Sequence, residues 1–189
     1  MLSARTRIEK TVARRGHRTV HIQNSTRISV YIDGPNLFHC GESEGCRLDY
    51  INGFKRFVIQ NRELVDLNFY NSKGISPGAT AFYRKLRSAG YNLKLFKLGG
   101  DFRGEPEEKR VDTQLVADSI YDACMDKYDI AAICSGDEDV VPAVEYILKM
   151  GKEVEVMAFG TGFSWDLRET KHLGAKIIVL SNFIEQLRR

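Results

Sequence analysis

Four aspartates in this chain stand where their carboxylates could act together. Asp33 ends the apolar run 28–32 in the sequence Ile-Asp-Gly-Pro-Asn. Asp137 and Asp139 follow a second apolar run, 130–134, in Ser135-Gly136-Asp137-Glu138-Asp139. Asp112 lies at the start of a long segment of helical apolar spacing that begins at Val111. Taken singly, each has an ordinary explanation as a turn residue or helix cap. Taken together, they share a position: in open α/β sheets, ligands bind beyond the carboxyl ends of the strands. If the two apolar runs are neighbouring strands, Asp33 and Asp137 meet there. Gly34 and Gly136, one in each turn, let the backbone bend sharply or approach a ligand closely.

Asp112 needs a separate argument. Leu115, Val116, Ser119, Ile120 and Ala123 mark one stripe of the helix starting at Val111. At about 100° per residue, Asp112 projects near the centre of that stripe, whereas Asp118 projects roughly 130° away. An acid on the core side of a helix's first turn requires a partner or a function. This ranks Asp112 above Asp118, which is kept as a further candidate ligand. Glu138 lies between two candidates and points elsewhere.

Collected acids favour a cation. Two ionised carboxylates about 4 Å apart repel by about 4 kcal/mol at an effective dielectric of about 20, and a hard divalent ion removes that cost. With no His or Cys among them, the donors favour Mg²⁺ or Mn²⁺ over zinc. Such an ion supports attack by water on a phosphodiester while stabilising the developing charge.

The elements that must position these acids alternate almost without exception. Strands are expected at 28–32, 64–70, 93–98, 130–134, 154–159 and 177–180. Helices are expected at 48–61, 79–89, 111–127, 139–150 and 165–171, with a terminal helix from 182. Gly90 and Gly151 read as helix stops. The polar stretch 99–110 reads as a loop. The pattern predicts an α/β fold: a predominantly parallel central sheet of about six strands with helices on both faces. Strand order does not follow from it.

Charge divides the chain. Residues 1–27 hold seven Lys or Arg and one acid, Glu9, whereas the remainder carries slightly more acids than bases. The expected organisation is a basic arm over 1–27 and one domain over 28–189. Such an arm suits a phosphate backbone through counterion release. A tail without a partner and an Arg-rich targeting segment are the other readings. No apolar run approaches the ~20 residues of a membrane span. Cys40, Cys46, Cys124 and Cys134 form no C-x-x-C pair, which fits reduced thiols and a cytoplasmic setting.

At these residues the sequence resembles the NYN domain family, in the LabA-like branch of the PIN-like nucleases. The resemblance rests on Val30-Tyr31-Ile32-Asp33-Gly34-Pro35-Asn36, on Lys109-Arg110-Val111-Asp112 with Asp118 beyond it, and on Ser135-Gly136-Asp137-Glu138-Asp139-Val140-Val141-Pro142. It extends through Gly151-Lys152-Glu153-Val154 and Ser164-Trp165-Asp166-Leu167. The resemblance implies a PIN-like sheet and a Mg²⁺- or Mn²⁺-dependent ribonuclease. Asp33, Asp112, Asp137 and Asp139 would be its metal ligands and catalytic groups. Asn36 would position a carboxylate, a water or the substrate, and Ser135 would orient the acidic turn or touch phosphate. RNA is the implied partner, cut to leave 5′-phosphates. Two departures stand out: Val140 where the family has Phe, and Arg110 where it often has Gly. Arg110, with Lys109, places positive charge beside the pocket, where it could hold phosphate. A homodimer, or a protein that delivers substrate, is compatible with all of this.

Other chemistries fit less well. A phosphatase with a nucleophilic Asp needs a second acid two residues on, where this chain has Pro35. No Walker A sequence is present, Gly160-Thr161-Gly162 lacks the third spaced glycine of a dinucleotide loop, and the four histidines have no metal spacing. The rival from another class is a non-catalytic RNA- or protein-binding regulatory module on the same fold. No stripe of aromatics suited to stacking on RNA stands out, so backbone recognition is expected.

Overall fold

A computed structural model describes residues 25–72, 76–96, 99–100, 106–107 and 110–188. Six strands form one sheet: β1 (Arg27–Asp33), β2 (Glu63–Ser72), β3 (Asn92–Phe96), β6 (Ile130–Cys134), β7 (Glu153–Ala158) and β8 (Lys176–Val179). All pairings between them are parallel, in the order β3-β2-β1-β6-β7-β8. Two short segments between β3 and the next helix, β4 (Gly99–Gly100) and β5 (Pro106–Glu107), form a separate antiparallel pair within the stretch expected to be a loop.

Side-chain alternation divides β1 between two cores. Ile28, Val30 and Ile32 join Leu67, Phe69, Ala132 and Cys134 on one face. This face is covered by α1 (Gly34–Ser43), α2 (Gly53–Ile59), α3 (Pro77–Ser88) and α7 (Ile184–Leu187), which contribute Leu37, Phe54, Leu86 and Leu187. Tyr31 joins Tyr70, Ala131 and Ile133 on the other face. There α4 (Val111–Cys124), α5 (Val141–Lys149) and α6 (Trp165–Glu169) contribute Leu115, Val144 and Leu167. Burial on both sides explains why β1 and β6 read as continuous apolar runs.

The chain winds outward from β1 in one direction through β2 and β3. It then returns and winds in the other direction through β6, β7 and β8. The topological switch point therefore falls between β1 and β6, where Ile32 pairs with Cys134. Asp33 and Ser135 are the next residues on each side.

Helix α1 differs from expectation, since Asp-Gly-Pro-Asn read as a turn. The Asp33 side chain accepts from the Asn36 N–H, and proline sits in the first turn, where no N–H is needed. Gly34 is required at this start. A Cβ there would lie 2.7 Å from Phe69 Cζ and 2.8 Å from the Tyr70 carbonyl oxygen. Helix α2 is shorter than the expected 48–61, because Leu48 makes an isolated antiparallel bridge with Arg188 and Asp49 accepts from the N–H groups of Ile51 and Asn52.

The basic arm lies outside the described residues except for its end. Arg27 is the first residue of β1 and pairs with Asp129 at 3.0 Å. Among the described residues, no helix is long and apolar enough to cross a membrane.

Candidate active site

Asp33 is only 3% exposed. Its Oδ1 accepts from the Asn36 N–H at 3.0 Å, and its Oδ2 accepts from the Ser135 hydroxyl at 2.8 Å. The Asn36 side chain turns back to accept the Gly136 N–H at 3.0 Å through Oδ1. Ser135 Oγ in turn accepts the Asp137 N–H at 3.2 Å. Two of these four hydrogen bonds join the end of β1 to the end of β6, and the other two brace each end locally. Gly136 belongs to the same seam. A Cβ there would stand 1.9 Å from the Gly162 carbonyl oxygen, so no other residue fits without displacing that loop.

Burial pushes the Asp33 carboxyl up to about 6, against the lowering effect of its two hydrogen bonds, and the negative charges of Asp112 and Asp137 add to the rise. Those two acids therefore share an electrostatic environment with Asp33. Asp112 is half-buried in the first turn of α4. Asp137 is half-buried and caps a short 3-10 helix, Glu138–Val140, by accepting the Asp139 N–H at 3.1 Å. Asp139 itself is exposed, one step further out.

Asp118 belongs to a different network. Its carboxylate accepts from the Tyr70 hydroxyl at 2.9 Å and from Gln114 Nε2 at 2.7 Å, with Lys94 Nζ at 3.8 Å. It faces the sheet at Tyr70, whereas the apolar stripe alone turned it away. One turn further along, Asp122 is buried and accepts from the Tyr31 hydroxyl at 2.9 Å, with Lys127 Nζ at 2.6 Å. Sequence reasoning passed over Asp122. The available signal was its spacing of four from Asp118, together with tyrosines on the same face of neighbouring strands.

Arg110 caps α4 at φ 93° and ψ −11°, in the left-handed region. This backbone conformation is one that favours glycine. Its side chain is exposed. Lys109 lies outside the described residues.

Among the described residues, no three His, Cys, Asp or Glu side chains lie close enough together to hold a metal ion by themselves. The donor chemistry nevertheless fits a hard cation. Asp33, Asp112 and Asp137 offer only oxygens, and burial holds the Asp33 carboxyl high, with a smaller contribution from the charges of the other two. Mg²⁺ keeps several waters and is commonly held by one or two carboxylates together with substrate phosphates, so a closed cage is not required. A zinc-type site of four protein ligands does not fit.

The switch-point acids and the six-stranded parallel sheet define a PIN-like α/β protein with an acidic centre. The chain belongs to the NYN domain family, whose model matches residues 27–174. It is similar to "Low amplitude and bright protein LabA" of Synechococcus elongatus, at 23% identity over 171 residues, covering 87% of this chain and 90% of that protein. Its fold is similar to the crystal structure of a protein of unknown function from Vibrio parahaemolyticus, with a TM-score of 0.71 at 24% identity over 85% of this chain and 95% of that one.

Proposed function

We propose that the protein is a Mg²⁺- or Mn²⁺-dependent ribonuclease that hydrolyses RNA phosphodiesters at the end of β1 and β6. The observation that carries this reading is the burial of Asp33 at the switch point, within electrostatic reach of Asp112 and Asp137, with its carboxyl held up to about 6. A buried acid flanked by two others is costly unless a cation joins them. Family membership supports a nuclease-like site.

Asp33, Asp112 and Asp137 would hold the ion, with Asp139 at the outer edge. Once bound, it supplies charge neutralisation at the phosphate and makes a nearby water more acidic. The protein's own groups do the positioning. Ser135 and Asn36 fix Asp33 and the acidic turn in one geometry, so little reorganisation is needed when substrate arrives. Arg110, two residues before Asp112, would pair with a phosphate oxygen. Water adds to phosphorus, the bond to the 3′-oxygen breaks, and the products carry a 5′-phosphate and a 3′-hydroxyl. The basic arm 1–27 would add affinity for the RNA backbone without reading sequence.

The second reading, a non-catalytic RNA- or protein-binding module, is favoured by one observation. Both oxygens of Asp33 already accept hydrogen bonds from the protein. End-labelled RNA incubated with the wild type and with Asp137→Asn, in Mg²⁺, Mn²⁺ and EDTA, decides between the two. The ribonuclease reading expects cleavage by the wild type in metal alone, with 5′-phosphate products and a loss of at least 100-fold in the variant. RNA binding without cleavage, indifferent to metal, selects the binding module. Equal cleavage by both proteins means that neither the site nor the protein is responsible.

A further inference from the structure

A cavity of about 710 Å³ opens at the same end of the sheet, on the face away from α4. Its size is that of a small-molecule site. Gly34, the residue after Asp33, forms part of its wall, as does Asn71, the residue after the β2 partner of Asp33 in the sheet register. Tyr50 also lines it and feels the charge of Asp33. The cavity thus begins one residue along the backbone from Asp33, on the opposite face of the sheet from α4.

Aromatic rings give it its character. Tyr50, Phe69 and Phe82 meet edge to face, with centroids 5.5 Å apart for Tyr50–Phe69, 5.8 Å for Tyr50–Phe82 and 6.0 Å for Phe69–Phe82. Phe38, on α1, also lines the cavity and is 45% exposed. Polar groups able to read a base edge, the Asn71 amide and the Ser76 hydroxyl, line the same space. Arg47 and Lys85 balance Glu42 and Asp49 around it, and Asp49 is already engaged with the N–H groups of Ile51 and Asn52.

A flat, partly polar ligand suits these walls. Bases stack on aromatic side chains whatever their identity, and their edges are read by amides and hydroxyls. We infer that the cavity receives one nucleobase of the RNA strand, from a nucleotide adjoining the phosphate held at Asp33, Asp112 and Asp137. This rests on the ribonuclease reading and adds a base-recognition site to it, where the sequence suggested backbone contacts alone. The aromatics are scattered over positions 38, 50, 69 and 82 and converge only in the fold.

The test uses the full chain and a set of single-stranded RNAs, each with one abasic nucleotide at a different position. Both binding and cleavage are followed. In the wild type, one position next to the cleaved bond loses about 5- to 150-fold, the value of one stacked base. Phe38→Ala removes a stacking face, and Ala81→Trp fills the cavity from an exposed helical position that lines it. Both variants shrink the penalty at that position and leave the penalties elsewhere unchanged. An abasic penalty that is the same in wild type and variants, or absent at every position, overturns the base cavity while RNA handling persists. RNA neither bound nor cleaved by the wild type overturns the ribonuclease reading and the cavity with it. Matching thermal melts for the three proteins exclude unfolding as the cause.

Discussion

The hydroxyl of Ser135 donates to Oδ2 of Asp33 across 2.8 Å, joining the residue after β6 to the last residue of β1. Ser135 is fully buried and its oxygen also receives the Asp137 N–H. One side chain thus holds two of the three central acids in place. Ser135→Ala leaves a buried carboxylate oxygen and an amide without their partner. Loss of a buried partner costs about 1–3 kcal/mol. Urea unfolding at neutral pH is expected to show a destabilisation of that order, together with slower RNA cleavage. Unchanged stability would mean that the hydroxyl does not support the seam.

The raised carboxyl of Asp33 makes stability depend on pH in a definite direction. Asp33 goes from its ordinary value of 3.8 to about 6 on folding. Protonated Asp33 favours the folded state, so its contribution is complete below about 3.8 and is lost as pH rises through about 6. At about 1.4 kcal/mol for each tenfold change in acidity, the loss is roughly 3 kcal/mol, an order-of-magnitude figure. Asp33→Asn does not titrate. Relative to wild type, it should gain stability between pH 4 and pH 7, in urea titrations without divalent metal. Adding Mg²⁺ at neutral pH should stabilise the wild type and leave the variant unaffected.

Arg110 carries a cost at the start of α4. Its φ of 93° lies where residues other than glycine are strained by about 1–2 kcal/mol. Arg110→Gly relieves that strain, less the entropy gained by the unfolded chain, for a net stabilisation of about 1 kcal/mol. The same change removes a cation at the rim. RNA affinity should fall, and the slope of log affinity against log salt should shrink by about 0.7, the value of one phosphate contact on a single strand. A more stable protein with undiminished affinity would show that Arg110 does not meet RNA.

How much of this could be read from the sequence depends on the kind of contact. The strand runs ending at Ile32 and Cys134 announced themselves by continuous apolar composition, and the acids follow them directly. That Asp33 and Asp137 meet depends on β1 and β6 being neighbours, and alternation of strands and helices is the same for every strand order. Helix α1 escaped notice because Gly34-Pro35 is a turn signal out of context, whereas the Asp33 cap makes it a helix start. A helical stripe counted from apolar residues alone turns Asp118 away from the sheet, whereas its carboxylate meets the Tyr70 hydroxyl. Asp122 is also buried, made tolerable by the Tyr31 hydroxyl, and it shifts the buried face toward Asp118.

Trp165 is the one tryptophan of the chain and is 73% exposed. It follows Ser164, whose N–H donates to the Gly136 carbonyl at 2.9 Å, so it stands beside the acidic turn. Exposed aromatics beside a nucleic-acid path stack on bases. Titration with RNA should change the intrinsic tryptophan emission in step with binding measured by anisotropy. Emission that stays constant while RNA binds would place the strand away from α6.

The central claim is that Asp33, Asp112 and Asp137 share a divalent cation. Mn²⁺ binding, followed by electron paramagnetic resonance of the free ion, measures it without reference to turnover. The wild type and the variants Asp33→Asn, Asp112→Asn and Asp137→Asn are compared with Asp118→Asn, whose carboxylate is engaged by Tyr70 and Gln114. The wild type and Asp118→Asn should bind Mn²⁺ alike, and each of the other three variants should lose at least tenfold in affinity. Equal binding by all five proteins, or a loss confined to Asp118→Asn, would contradict it.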